Sequence, residues 1–311
     1  MREEVIRAGE ILQQWGVVAL PTETVYGLAA DARNDIAVRK VFKLKGRPSF
    51  NPLIVHVKDL EAAEQIGHFS EVARHLVQVF WPGPLTLVVP LKKEAGISGL
   101  VTAGLDTIAL RSPAHPLAQM VLSQSGLALA APSANVSGTV SPTSAEHVRQ
   151  GLPDVDFVLD GGATAKGLES TIVQMGEGDK EIILLRPGPI TIEALEAACG
   201  IKVVSLEQDQ DAPVSPGALL KHYSPKAAVR LFAQDHRPGE GVLGFGAETV
   251  GRDVPFYNLS EQEDLNEAAQ RLFAGLHWMD AQGVSGIAVR PIPNQGIGLA
   301  INDRLRRAAA Q

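Results

Sequence analysis

The sequence predicts an α/β protein built as two units, a mixed sheet with helices followed by a smaller α/β unit. Three observations predict it. Amphipathic helical patterns alternate with short β-branched runs from Val5 to about Cys199, apolar periodicity is lost between about Glu207 and Pro225, and strand and helix patterns resume beyond. The expected boundaries are 1–206 for the first domain, 207–226 for a linker and 227–311 for the second domain.

Val5, Ile11, Leu12 and Trp15 fall near helical spacing, with Gly16 as the expected stop, and Val17 to Leu20 reads as a buried strand. Asn34 or Asp35 can cap a helix carrying Val38, Val41, Phe42 and Leu44; Ser70 can cap another carrying Ala73, Leu76, Val79 and Phe80. Strands are expected within Leu53 to Val57 and at Leu85 to Val89, Ile108 to Leu110, Leu127 to Ala131, Thr171 to Gln174 and Ile182 to Leu185, with a capping box at Thr143 and Glu146. Beyond the linker, Val229 to Phe232, Val242 to Phe245 and Ile287 to Val289 suit strands. A long helix opened by Ser260 and Glu263 carries Leu265, Ala269, Leu272, Leu276 and Met279. This alternation implies a small, partly parallel sheet.

Over 311 residues, 45% hydrophobic and 20% charged residues describe a globular chain with a sizeable core. No apolar run is long enough to span a bilayer and the N-terminus opens on charges, so the expected location is cytoplasmic, with no membrane partner. A net charge of -7 argues against a broad basic surface for nucleic acid, though not against a local basic groove. The single cysteine, Cys199, excludes an internal disulfide and a thiolate metal cluster and fits an apolar helix face.

The most telling motif is Lys45-Gly46-Arg47-Pro48. Two cations at alternate positions, on backbone that proline biases toward extension, can project to one side and suit a polyanion such as a nucleoside triphosphate; they equally suit the last carbonyls of the preceding helix. Pro21 to Leu28 brings Thr24 and Tyr26 to a strand end, where they can hydrogen-bond a small polar substrate or simply complete a turn. His56 interrupts an apolar strand and needs a partner if buried, as a ligand contact or a structural group. Arg111, at another strand end, can hold a carboxylate at two points or form a surface ion pair. The stretch from Ala131 to Gly138, with Ser133 and Asn135, and the nearby Ser141 offer hydroxyls and amides to phosphate or ribose, or make an ordinary turn. Ser170 and Arg186 add a hydroxyl and a cation, or a polar strand start and a solvated arginine.

In order, Pro-Thr-Glu-Thr-Val-Tyr-Gly-Leu, Lys-Gly-Arg-Pro, Asn-Pro-Leu-Ile-Val-His, Pro-Ser-Ala-Asn and Ser-Thr-Ile-Val resemble the Sua5/YrdC/YciO family over about residues 5 to 200. Ser215-Pro216-Gly217 and Lys221-His222-Tyr223-Ser224-Pro225 are similar to its two-domain Sua5 branch. The resemblance implies a YrdC-like twisted mixed sheet, a smaller Rossmann-like α/β domain, and L-threonylcarbamoyladenylate synthase activity. That reaction joins L-threonine, bicarbonate and ATP into threonylcarbamoyl-AMP and pyrophosphate, which other proteins use to modify adenosine 37 of tRNAs.

Carried over by motif, the resemblance implies that Thr24, Tyr26, His56, Arg111, Ala131 and Ser170 surround threonine. It implies that Arg47, Asn51, Thr107, Ser133, Asn135, Ser141, Arg186 and Tyr223 contact ATP, and that Lys45 lies near bicarbonate and the phosphates, making Lys45 and Arg47 the catalytic pair. Mg²⁺ is expected with the nucleotide, without a dedicated metal site or a tightly bound cofactor. Threonylcarbamoyl-transfer proteins are the expected downstream partners, and direct tRNA contact stays open. Tyr223, an aromatic inside a polar linker, suggests that the linker folds over the nucleotide. Two alternatives stand beside this reading. One is an RNA-binding module without ATP chemistry; the other is a carbamoyl-phosphate-dependent transferase of the hydrogenase-maturation kind, whose cysteine-rich zinc modules one cysteine cannot build.

Overall fold

The computed structural model describes residues 2–205 and 222–310; most of the expected linker, including Ser215-Pro216-Gly217 and Lys221, lies outside the described residues. Helix α1 (Arg2–Gln13) buries Val5, Ala8 and Leu12. The positive φ that follows falls on Trp15, not Gly16; Gly16 is required because a Cβ there would meet the Ile11 carbonyl at 2.8 Å. Strand β1 (Val18–Leu20) pairs antiparallel with β2 (Gly27–Asp31), whose small residues hid it inside the polar motif that precedes it. In α2 (Asp35–Lys45), Asn34 accepts from the Ala37 amide and Gly46, at φ 59, closes the C-terminus. Lys45 is therefore the last helical residue and Arg47 lies beyond a left-handed glycine, so the two cations do not alternate along one extended segment as the proline suggested.

The first unit continues through β3 (Ile54–His56), α3 (Leu60–Glu64), α4 (Glu71–Phe80), β4 (Leu85–Pro90), α5 (Gly99–Thr102), β5 (Thr107–Arg111), α6 (Pro116–Ser125) and β6 (Leu129–Ala130). After these come α7 (Ala145–Gly151), β7 (Phe157–Val158), β8 (Thr171–Met175), β9 (Ile182–Arg186), α8 (Ile192–Cys199) and β10 (Val203–Ser205). The ten strands form one mixed sheet in the order β10-β9-β8-β4-β5-β3-β6-β2-β1-β7. Ser70 caps α4 as expected, but Ser144 rather than Thr143 caps α7, because the buried Thr143 hydroxyl is turned to His147 Nδ1 at 3.3 Å.

The second unit contains β11 (Ala228–Arg230), β12 (Glu240–Gly244), β13 (Phe256–Asn258), α9 (Leu265–Gln282), β14 (Gly286–Val289) and α10 (Gly298–Ala309). Its sheet runs β11-β14-β12-β13 and every pairing is parallel, not partly so. Asp264 caps α9, displacing the expected Ser260 box: Glu263 takes φ 58 and Ser260 Oγ accepts from the Asp264 amide at 3.0 Å. The units share a core. Val25, Val140 and Leu168 of the first pack in one buried cluster with Phe273, Leu276 and Ile301 of the second, and Tyr223 sits among them, 1% exposed. No helix of the described residues is long and apolar enough to cross a membrane.

Candidate active site at the junction of the two units

One cleft is lined by the ends of β3, β5 and β9, by Glu169 and Ser170 before β8, by the loops after β1 and β6, and by His222 and Tyr223. Its first half is built around Arg111, 3% exposed at the end of β5. The Nη2 group donates to Glu23 Oε1 at 2.6 Å, Nη1 to Thr24 Oγ1 at 2.9 Å and Nε to the Gly83 carbonyl at 3.2 Å. Of its five N–H groups, one on each terminal nitrogen is left for a ligand, so the fork expected to face a carboxylate is braced by the protein's own Glu23. Glu23 Oε2 in turn accepts from the Ala114 amide at 3.1 Å. Register places His56 of β3 beside Arg111. Burial, with the Arg111 charge adding, pushes His56 down to about 3, so it is a neutral imidazole with a buried, unpartnered Nδ1.

The second half gathers cations. Arg47 donates from Nε to the Asn51 carbonyl at 3.2 Å and from Nη2 to the Pro52 carbonyl at 2.9 Å. Arg186 donates to the Ser170 carbonyl at 3.0 Å and hydroxyl at 3.1 Å, and Ser170 Oγ also meets Thr86 Oγ1 at 2.7 Å. Burial pulls both guanidinium groups down to about 10, which leaves them charged at neutral pH. His222 is brought to about 3 by burial, against the opposing pull of Glu169. Burial alone would raise Glu169, but the charges of Arg304 and Arg186 and a 2.6 Å bond from Ser141 Oγ hold it at about 2.

Of the residues expected at the site, Thr24, Arg47, His56, Arg111, Ala131, Ser133, Ser170, Arg186 and Tyr223 line this cleft. Six others stand behind or away from the lining. Tyr26 is fully buried, its hydroxyl donating to the Gly162 carbonyl at 2.8 Å and accepting from the Gly161 amide at 3.0 Å. Lys45 is buried with Nζ bonded to the Ser133 carbonyl at 2.6 Å, the Asn135 carbonyl at 2.7 Å and Asn135 Oδ1 at 3.4 Å. Burial, with Arg47 adding, lowers its pKa well below the ordinary value, while three oxygens receive the three hydrogens of its ammonium form. Lys45 thus fastens the Ser133 loop from behind. Asn135 donates to the Val136 and Thr139 carbonyls, Ser141 to Glu169, and Asn51 keeps a buried Oδ1 without a partner. Thr107 opens β5 opposite Pro90, at the other end of the strand from Arg111.

Glu23, Thr22, Glu169, His222 and Arg304 were given no role from the sequence. The first four sit inside or beside the quoted motifs, so adjacency was the available signal; Arg304 Nε reaches Glu169 Oε2 at 3.0 Å across 135 residues of chain, with no motif to mark it. Among the described residues no group of three or more His, Cys, Asp or Glu could hold a metal ion.

Buried arginines, neutral histidines and converging hydroxyls at the junction of a mixed sheet and a parallel α/β unit make a cleft of the kind suited to a small polar molecule. The chain belongs to the Sua5/YrdC/YciO family. The family model described as "Telomere recombination" matches residues 10–188, and one described as "Threonylcarbamoyl-AMP synthase, C-terminal domain" matches residues 190–310. The chain is 41% identical to the threonylcarbamoyl-AMP synthase of Bacillus subtilis, over 98% of this chain and 93% of that one. It is 37% identical to that of Pyrococcus abyssi, over 97% and 93% respectively. Its fold matches the crystal structure of P. abyssi Sua5 complexed with L-threonine with a TM-score of 0.90 and 36% identity, covering 99% of this chain and 95% of that one.

Proposed function

We propose that the protein is an L-threonylcarbamoyladenylate synthase, making threonylcarbamoyl-AMP and pyrophosphate from L-threonine, bicarbonate and ATP. The observation that carries this reading is the division of one cleft into two halves: a braced arginine with hydroxyls and a neutral imidazole in one, and Arg47 with Arg186 in the other. The first half suits an amino acid, whose carboxylate takes the two remaining Arg111 donors while Thr24, Ser170 and neutral His56 meet its polar groups. The second suits a triphosphate, and buried cations act there at low local dielectric.

In the reaction the threonine amine adds to bicarbonate with loss of water, giving a carbamate. A carbamate oxygen then attacks the α-phosphorus, one O–P bond forms, the bond to the β-phosphate breaks and pyrophosphate leaves. Arg47 and Arg186 offset charge developing on the phosphates, and Lys45 and Asn135 hold the Ser133 loop against the ligand. Mg²⁺ enters as part of the nucleotide substrate, and no covalent bond to the protein is required. The labile adenylate passes to threonylcarbamoyl-transfer proteins that modify tRNA in the cytoplasm. A cleft whose cations are buried and singly directed fits a small anion better than the exposed basic surface an RNA-binding module uses. The test is pyrophosphate release by the purified chain with L-threonine and bicarbonate omitted in turn. Release that needs both supports the synthase, and release indifferent to threonine refutes it.

A further inference from the structure

We propose that Arg304, on α10 of the second unit, is a positioning residue for the nucleotide half of the cleft, acting through Glu169 and Tyr223; the inference rests on the synthase reading. Arg304 is the largest fully buried side chain among the described residues. Besides Glu169 it binds Asp303 Oδ2 at 2.7 Å through Nη1, and its guanidinium carbon lies 5.4 Å over the Tyr223 ring, whose own ring stacks on Phe273 at 5.3 Å. Glu169 and Tyr223 both line the cleft, so one cation from the second unit holds two walls of a site built mostly on the first. The other Glu169 oxygen accepts from Ser141, and the Ser141 carbonyl meets His277 Nε2 of α9 at 3.1 Å, a second tie across the junction.

Stability alone does not account for this arrangement. A buried ion pair contributes little net stability over an apolar pair of equal volume, and Arg304 Nη2 is buried without a partner. What the pair does supply is an ionised Glu169. The groups facing that carboxylate are Arg304 from α10, Arg186 from β9, Lys45 from α2, and His222 and Tyr223, with Asp303 and Arg307 beyond Arg304. With Arg304 replaced by a neutral side chain, burial raises Glu169 and its proton makes it a donor where it now accepts from Ser141. The cleft then changes shape as the pH falls.

The test uses the full chain as Arg304→Gln, Arg304→Lys and Arg304→Gln/Glu169→Gln. Infrared titration of protonated carboxyl groups is expected to show a band in Arg304→Gln that grows on acidification and is missing from the double variant. The KM for ATP of Arg304→Gln is expected to rise about tenfold near about pH 6 and return toward the wild-type value near about pH 9, with Arg304→Lys partly rescued. A loss that is constant with pH and equal in Gln and Lys variants, or no loss, overturns the proposal. Should Arg304→Gln fail to fold, Arg304→Met removes the same charge and carries the same titration, and no shift of Glu169 toward protonation there overturns the proposal too. A wild-type chain that makes no threonylcarbamoyl-AMP defeats the synthase reading instead, because the infrared titration reads the ion pair without the reaction.

Discussion

Substituting Gly167→Ala should pry the two units apart at the cleft. Gly167 lies in the loop before β8 with φ +69, and an added Cβ would sit 2.5 Å from the Gln270 Cα of α9 and nearer still to its carbonyl oxygen. The left-handed φ costs about 1 kcal/mol for alanine, and the overlap is with helix backbone that cannot swing aside as a side chain would, adding about 1–3 kcal/mol. The total is roughly 2–4 kcal/mol, or about 4–16 °C in melting temperature at about 2–4 °C per kcal/mol. Gly126→Ala is the control: its φ is +66 with nothing within 4 Å of the new Cβ, so it should lose only the backbone share. Since α9 carries His277 against Ser141 and Phe273 against Tyr223, a shift of about 1 Å should also weaken kcat/KM for ATP by about tenfold to a hundredfold. Thermal melting and steady-state kinetics of the two variants side by side decide it. If Gly167→Ala melts with Gly126→Ala and keeps wild-type kinetics, the junction does not act on the cleft as argued.

Glu23→Ala should cost about 3–5 kcal/mol in urea unfolding, because it leaves the Arg111 charge buried beside Thr24, whereas Glu23→Gln should cost less; equal small losses would mean the pair is solvated. Lys45→Met should raise the KM for ATP more than it lowers melting temperature, since the Ser133 and Asn135 carbonyls lose their donor; an unchanged KM would show that the loop holds itself. Acid should destabilise the chain. His56 and His222 stay neutral down to about 3 when folded but protonate near their ordinary 6.5 when unfolded. The unfolded state therefore binds more protons between those values, and stability should fall by up to about 1.4 kcal/mol per pH unit for each histidine as pH drops through that window. His56→Gln should flatten the slope of urea midpoint against pH, and an unaltered slope would contradict the assignment.

What could be read from the chain alone was local. Side-chain periodicity and capping chemistry act within a few residues, so Asn34, Ser70 and the β4, β5, β8 and β9 runs were visible as they stand. The small-residue β2, the brief aromatic β13 and the arginine-rich α10 were not, because pairing and packing with distant chain make them regular. The same division holds at the site. Ordered motifs marked candidate site residues, and Thr24, Arg47, His56, Arg111, Ser133, Ser170 and Arg186 do converge on one cleft. Only tertiary structure decided that Lys45 and Tyr26 spend their polar atoms on backbone, that Glu23 braces Arg111, and that Arg304 of the second unit neutralises Glu169 of the first. A sequence motif records what a side chain is able to donate or accept; which partner satisfies it depends on the three-dimensional crossing of segments far apart in the chain, where burial makes every unsatisfied polar atom costly.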